Sequence, residues 1–245
     1  MKDVISVAPP GSHKAVFLTA RWKHLINLTY AVDPELLRPH LPPGLELDIW
    51  EGSAHVSLVA FDFLSTRLLG IPVPGYTNFP EVNLRFYVRW RELPAVVFIR
   101  EYVPKRAIAW SAKLLYNEPY RRIPMTSSVN MDGEVINVRH NLGGGELQAR
   151  ARLDGYFPRK GTAEYHFKEH DLGFGVDHRQ RTLCYRVEHP EWKVFPIESV
   201  DMSLNFETLY GSDWAFLQNT QPRYRLLAEG SDILVRFPFA IERDS

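Results

Sequence analysis

Two opposite charges stand in the middle of one of the most apolar runs of the chain. The run from Val96 to Val103 is typical of a strand buried on both faces, yet it contains Arg100 and Glu101. Alternation sends these two side chains to opposite faces, so at least one of them should enter the interior. Because a buried charge is costly unless it is paired, the segment is either a structural ion-pair site or the wall of a polar pocket.

A second candidate strand carries polar residues that could face the first. Asn83 and Arg85 share one face of this strand, and Glu81 comes just before them. Together with Arg100 and Glu101 they would form a polar pocket. A pairing network that only holds the sheet together explains the same residues equally well, since structural networks perturb charges as functional sites do. Both interpretations stay open.

The sequence Pro104-Lys105-Arg106 indicates the first turn of a helix. Two cations at that position oppose the helix dipole, and their mutual repulsion favours the neutral amine of Lys105. A neutral amine attacks carbonyl carbons and forms a Schiff base, so Lys105 is a candidate nucleophile, with Glu81 and Glu101 as candidate proton carriers. The alternative is a solvated helix end with no chemical role.

The stretch His166-Phe167-Lys168-Glu169-His170 matches the HxxEH pattern, in which two histidines bind zinc and the glutamate activates water. That pattern needs a helix, whereas Gly161 precedes the stretch and Gly173 follows it. We therefore expect these histidines to form hydrogen bonds in a loop, and we expect purified protein to carry no stoichiometric zinc. No metal site and no cofactor are predicted. Phosphate-loop, dinucleotide and serine-hydrolase motifs are absent from the sequence, and Cys184 is expected to be a core thiol.

The elements that must position these residues are mostly strands. Apolar residues alternate with polar ones in four segments, which predicts an antiparallel sheet with turns at Asp132-Gly133, Gly143 to Gly145 and Glu229 to Ser231. The four segments are Ile26 to Val32, Leu84 to Trp90, Leu147 to Leu153 and Leu183 to Val187.

Two helices and one longer loop are also expected. The first helix begins at Asp33 and stops by Leu41, because prolines follow. The second begins after Pro104 and runs to about Tyr116, so that it packs across the sheet. Proline and glycine residues between positions 70 and 80 indicate a loop in which binding groups could lie.

Composition restricts the classes of function. The chain has 245 residues, of which 45% are hydrophobic, and its 29 basic and 29 acidic residues leave no net charge. We expect one domain over residues 1–245 with a loosely ordered tail over residues 1–14, and neither nucleic acid nor membrane as a partner. The single cysteine and the lack of a signal-peptide pattern predict a cytoplasmic protein. The sequence leaves the choice between monomer and homo-oligomer open.

Several motifs follow one another along the chain: Trp22 to Leu25, VDPELLRPHLPPGLELD (32–48), FPEVNLRFYV (79–88), FIREYVPKRAIAWSAKLLYNEPY (98–120), Glu169-His170 followed by Gly173, YRVEHPEW (185–192) and LAEGS (227–231). In this order they resemble the YqjF-like family of bacterial proteins, which is grouped with the acetoacetate decarboxylase superfamily. The resemblance spans about Trp22 to Phe237. It implies a mainly β (α+β) fold, a curved antiparallel barrel or double barrel with a few short helices and an enclosed pocket for a small molecule.

A more distant similarity links the first half of the chain to acetoacetate decarboxylase itself. The enzyme's Arg-Glu and Pro-Lys-Lys resemble Arg100-Glu101 and Pro104-Lys105-Arg106, although the gap between them is shorter here, and Ala31 stands where the enzyme has an arginine. The resemblance implies a Schiff base at Lys105. It makes Lys105, Glu81 and Glu101 candidate catalytic residues, and it makes the following residues candidate ligand-binding residues: Arg100, Arg85, Asn83, Arg106, Glu118 and Tyr120.

Three functional hypotheses follow. The first is a pocket protein for a small organic acid or carbonyl compound, acting as a Schiff-base lyase or only binding its ligand. The second is a non-catalytic small-molecule-binding or stress-related protein in which Lys105 faces solvent. The third is a metal-dependent hydrolase that uses His166, Glu169 and His170. The environment of Lys105 and the presence of a bound metal distinguish the three.

Overall fold

The computed structural model describes residues 9–105 and 120–241. Helices in these residues are short: α1 (Ala163–Lys168), α2 (Phe206–Tyr210) and the 3-10 segments Pro34–Leu36, Arg38–His40 and Ser212–Asn219. Most other elements are strands, which confirms the mainly β fold. The strands are β1 (Val16–Val32), β2 (Glu46–Leu47), β3 (Ala54–Leu68), β4 (Ile71–Pro72), β5 (Phe79–Trp90), β6 (Leu93–Val103), β7 (Tyr120–Arg122), β8 (Met125–Asp132), β9 (Val135–Leu142), β10 (Gly145–Arg152), β11 (Leu172–Val176), β12 (Thr182–Glu188), β13 (Val194–Phe195), β14 (Ile197–Met202), β15 (Tyr224–Ala228), β16 (Asp232–Arg236) and β17 (Phe239–Ala240).

Seven of these strands form a closed barrel in the order β1, β16, β12, β11, β6, β5 and β3. The long strands β1 and β3 pair with each other along most of their length and close the ring. The neighbours in the ring are antiparallel, except that β11 runs parallel to β6. Closure leaves the seven strands without a free edge, which is how a barrel avoids unpaired backbone groups.

A separate four-stranded sheet, in the order β14, β10, β9 and β8, covers one outer face of the barrel. Leu84 and Phe86 of β5 belong to the same buried apolar cluster as Val138 of β9 and Ala149 of β10. Burying each of the two larger side chains contributes about 1.5–3 kcal/mol. Alternate residues of β5 point the other way, into the barrel: Glu81, Asn83 and Arg85.

The predicted turns lie between strands, whereas the predicted helices need correction. The expected helix after Asp33 is a pair of 3-10 segments, although Asp33 does cap it by accepting a hydrogen bond from the Glu35 backbone N–H at 2.9 Å. Pro39 cannot donate a backbone hydrogen bond, so an α-helix could not continue there. The helix expected to begin after Pro104 and to run to about Tyr116 lies, beyond Lys105, outside the described residues.

Among the helices formed by the described residues, none combines the length and the apolar character required to cross a membrane.

Candidate functional site

The barrel contains a cavity of about 140 Å³. Each of the seven strands of the ring contributes a residue to its lining, which places the cavity inside the barrel. Most of the wall is apolar and aromatic, and six rings account for much of it: Phe17, Trp22, Phe61, Phe63, Phe79 and Trp192. Because most of the wall is apolar, the few polar groups that face the cavity are the candidates for specific contacts with a ligand.

An acidic group of side chains lies on β5, β6 and β7. It consists of Glu81 and Glu101 with the neighbouring Asn83 and Tyr120. Asn83 pairs with Glu101 across the antiparallel strands, and Glu101 pairs with Tyr120 across the parallel ones. Glu81 accepts a hydrogen bond from Asn83 Nδ2 at 3.1 Å and another from the Tyr120 hydroxyl at 3.1 Å. Burial raises the pKa of Glu81 to about 7, against the opposing effect of its hydrogen bonds with Asn83, Glu101 and Tyr120. Glu81 is therefore partly protonated at neutral pH and can both donate and accept a proton.

A bulge in β6 decides which of its charges enters the cavity. The register with β5 shifts between Leu84, which faces Arg100, and Arg85, which faces Phe98. As a result Phe98 and Glu101 both line the cavity although they are three residues apart. Arg100 lies outside that lining and donates a hydrogen bond to the carbonyl of Leu209.

A basic group of side chains lines the cavity as well: Arg85, Lys168, His170 and His189. Lys168 is the last residue of α1, whose start is capped by the Thr162 hydroxyl. The backbone carbonyl of the preceding residue, Phe167, accepts hydrogen bonds from the side chains of Asn27, Arg85 and Tyr87 at 3.1–3.3 Å. Three donors from the barrel wall therefore fix the end of the helix and direct Lys168 inward.

Lys168 is almost completely removed from solvent, with 2% of its side chain exposed. Its Nζ contacts the Glu169 carboxylate and lies 5.9 Å from the centre of the Trp192 ring. Burial lowers the pKa of Lys168 to about 8, and the negative charge of Glu191 opposes that shift. A larger fraction of this amine is neutral at pH 7 than of an ordinary lysine.

His170 is buried and lines the same cavity as Lys168, and within the described part of the chain neither of its ring nitrogens has a hydrogen-bond partner. Burial, followed by the charge of Arg85, lowers its pKa well below the usual value. His189 stacks on Trp192 with 4.1 Å between ring centres, and burial lowers its pKa too. Both imidazoles are therefore neutral at pH 7 and can donate or accept hydrogen bonds.

The structure brings some of the predicted site residues together and separates others. Glu81, Asn83, Arg85, Glu101 and Tyr120 all line the cavity, whereas Arg100 does not. Arg106 and Glu118 fall outside the described residues. The roles of these residues stay predictions.

Lys105 is not among the residues that line the cavity. Its Nζ donates a hydrogen bond to the carbonyl of Gly75 and lies 5.3 Å from the centre of the Tyr76 ring, in the loop before β5. The predicted grouping of Lys105 with Glu81 and Glu101 is therefore not seen in the contacts of the described residues. Its catalytic role stays a prediction.

The HxxEH stretch is not the loop that we expected. His166 lies in α1, stacks on Trp50 at 4.3 Å between ring centres, and its Nε2 is 3.3 Å from the Asp48 carboxylate. The helix forms because the Thr162 cap outweighs the flanking glycines, and it ends at Lys168, before His170. Within residues 9–105 and 120–241, no three His, Cys, Asp or Glu side chains are grouped so that they could hold a metal ion.

Sequence patterns did not identify five of the cavity residues: Lys168, His170, His189, Trp22 and Trp192. Lysine is seldom buried, and no periodic pattern marks these positions. The one available signal was the Thr162 cap, which predicts a short helix that would hold Phe167 and Lys168 in fixed directions.

Comparisons with known proteins agree with this architecture. The DUF2071 family model, described as an uncharacterized conserved protein, matches residues 19–232. The chain is 32% identical over 122 residues to the uncharacterized protein YqjF of Bacillus subtilis (strain 168). That alignment covers 49% of the chain and 50% of YqjF, so the chain spans about half the length of this curated relative.

Two solved structures share the fold over almost the whole chain. The enduracididine biosynthesis enzyme MppR complexed with pyruvate is 14% identical, with a TM-score of 0.63 and coverage of 100% of this chain and 99% of its own. The acetoacetate decarboxylase of Legionella pneumophila is 12% identical, with a TM-score of 0.62 and coverage of 98% of this chain and 94% of its own. The family match and the shared fold lead to one conclusion: the chain belongs to the DUF2071 family and has an acetoacetate decarboxylase-like fold.

Proposed function

We propose that this protein binds a small organic acid or carbonyl compound inside its barrel. The observation that supports the proposal most is the lining of the cavity, where an aromatic wall meets an acidic group and a basic group of side chains. A ligand with a compact apolar body and one or two oxygen atoms matches both parts of that lining.

The size of the cavity restricts the ligand. Its volume of about 140 Å³ is close to the roughly 150 Å³ of an engineered protein cavity that holds benzene. Benzoate and benzaldehyde are therefore suitable probes, one for an acid and one for a carbonyl compound. Pyruvate is a third, because it is the ligand named for the MppR structure of the same fold.

The charges of the lining suggest how such a ligand would lie. A carboxylate would face Arg85 and the ammonium form of Lys168, with neutral His170 as a hydrogen-bond donor. A carbonyl oxygen would accept a hydrogen bond from Glu81 when that carboxyl carries its proton. The ring of benzoate or benzaldehyde would pack against Trp22 and Phe61.

The test compares two arginines of the same strand. Arg85 lines the cavity, whereas Arg89 lies outside that lining and pairs with Asp48 and Glu92. Removing a charged hydrogen-bond donor costs about 1.5–3 kcal/mol, so R85M should weaken benzoate binding by about 10- to 100-fold and benzaldehyde binding much less. R89M should leave both affinities unchanged.

Isothermal titration calorimetry measures the affinities, and the fluorescence of Trp22 and Trp192 reports occupation of the cavity. Equal effects of R85M and R89M would show that benzoate does not bind in the cavity. If wild-type protein bound none of the three probes, the proposed function itself would be wrong.

A further inference from the structure

One amine in the cavity is available for covalent chemistry. Within the part of the chain that the structure describes, Lys168 is the only lysine that lines the cavity. It is held there by the end of α1, whose position depends on the three hydrogen bonds to the Phe167 carbonyl. An amine fixed inside the barrel meets a bound molecule in a restricted orientation, which favours reaction over random collision.

The surroundings of Lys168 favour exchange of its proton. The ring of Trp192 lies on one side of the Lys168 amine. The ionisable groups near the Lys168 Nζ are Glu169, Glu191 and His189. The Glu169 carboxylate contacts Nζ directly and can accept the ammonium proton. Removing an ammonium ion from water disfavours its charged form, so the neutral amine is accessible near pH 8.

We propose that Lys168 is the amine with which this cavity captures an aldehyde or ketone as an imine. The inference rests on the proposed function, because the carbonyl compound must first bind in the cavity. It gives Lys168 a covalent role and predicts the class of ligand as one with an unhindered aldehyde or ketone group.

The reaction balances with groups that the cavity contains. The Lys168 ammonium transfers a proton to Glu169, and the neutral nitrogen then attacks the carbonyl carbon to form a carbinolamine. A proton donor that lines the same cavity, Glu81, can protonate the hydroxyl group of this intermediate. Water leaves, the C=N bond forms, and the net change is the loss of one water molecule.

Lys105 has no comparable surroundings among the described residues. It contacts the carbonyl of Gly75 and the ring of Tyr76 rather than the acidic group. The contrast between the two lysines makes the inference testable residue by residue, since each can be replaced with arginine, which keeps the charge but cannot form an imine.

The experiment traps the imine by reduction. Wild-type protein is incubated with benzaldehyde or pyruvate in the presence of cyanoborohydride, which supplies the hydride, and peptide mass spectrometry locates the adduct. We expect the label on the peptide that contains Lys168, a loss of at least about tenfold in K168R, and no loss in K105R. The yield at Lys168 should rise up to about pH 8 and then level off. An exposed lysine with an ordinary pKa near 10.4 would still gain label at higher pH.

Each other outcome overturns the inference. An adduct found on Lys105 or on surface lysines alone would place the reactive amine elsewhere. Binding of benzaldehyde by calorimetry without any adduct would reject the covalent step and leave the proposed function intact, whereas no binding and no adduct would reject both. The wild-type peptide map decides the matter even if K168R fails to fold.

Discussion

Glu81 is a buried carboxyl group whose proton stabilises the native state. Burial raises its pKa from 4.5 to about 7, so the native state binds this proton more tightly than the unfolded chain does. The resulting stabilisation is fully present below about pH 4.5 and is lost as the pH rises through 7. At its largest it amounts to about 3 kcal/mol, at 1.36 kcal/mol for each pKa unit.

Replacing Glu81 with glutamine should remove this pH dependence. E81Q keeps a neutral hydrogen-bonding side chain at every pH, so between pH 5 and 8 it should lose less stability than the wild type as the pH rises. Urea denaturation across this range measures the difference. E92Q is the control, because the Glu92 side chain is 96% exposed. Parallel pH profiles for wild type and E81Q would contradict the argument.

Alternation in the sequence predicted three residues of the polar lining correctly and could not predict the rest. It places Glu81, Asn83 and Arg85 on one face, and they do line the cavity together. In β6, strict alternation would put Phe98 and Arg100 on the same face, but the bulge sends Glu101 inward instead. A bulge depends on the partner strand, so its position is not encoded in the local pattern.

At the scale of elements, α1 shows why the basic group was missed. Its sequence is flanked by glycines, and the local signal for a helix is a single threonine cap. The direction of Lys168 depends instead on Asn27, Arg85 and Tyr87, which are at least 80 residues away in the chain and donate to the Phe167 carbonyl. Such long-range contacts form only when the barrel closes.

The turn between β15 and β16 should be sensitive to substitution because it lies against the backbone of β1. Gly230 has a φ of +76°, and a Cβ atom there would be 2.1 Å from the carbonyl oxygen of Trp22. Backbone atoms cannot move aside as a flexible side chain can. G230A should therefore destabilise the protein by more than about 2 kcal/mol, from backbone strain and steric overlap together.

Gly133 provides the matched control for this prediction. Its φ is +58°, but no atom lies within 4 Å of the position that a Cβ would take, so G133A should cost only the strain of a left-handed alanine, about 1–2 kcal/mol. Chemical denaturation of both variants measures the costs. Because Trp22 lines the cavity, G230A should also weaken benzaldehyde binding, and equal losses of stability in the two variants would refute the steric explanation.

At the scale of the whole molecule, the sequence predicts the strands better than their arrangement. Period-two patterns identify strand residues because each strand has one face against an apolar core. The closure of the barrel depends on pairing between β1 and β3 and on the parallel contact of β11 with β6, which join distant parts of the chain. The resemblance to a known family, rather than periodicity, predicted that closure.

Burial of neutral histidines should make the whole molecule sensitive to acid. His140 of β9 and His55 of β3 are 0% and 1% exposed, and within the described residues neither ring nitrogen of His140 has a hydrogen-bond partner. Burial lowers the pKa of each from 6.5 to about 4. Around His140, the negative charge of Asp62 opposes the shift and His24 adds to it.

The stability that depends on neutral His140 is present above pH 6.5 and is lost as the pH falls towards 4, because the unfolded chain takes up a proton that the native state excludes. The loss of unfolding free energy is at most about 3 kcal/mol for each such histidine. In part of the same pH range, protonation of Glu81 on acidification stabilises the native state and opposes this loss. At least four buried histidines with a lowered pKa, His55, His140, His170 and His189, stand against the one carboxyl group of Glu81, which predicts a net loss of stability on acidification. H140L should lose less stability than the wild type between pH 6.5 and 4, whereas E81Q should lose more.

Urea denaturation at several pH values measures these slopes independently of any constant change in stability. H178L, at an exposed histidine, is the control, and an H140L profile parallel to the wild-type profile would show that His140 is not the source of the acid sensitivity.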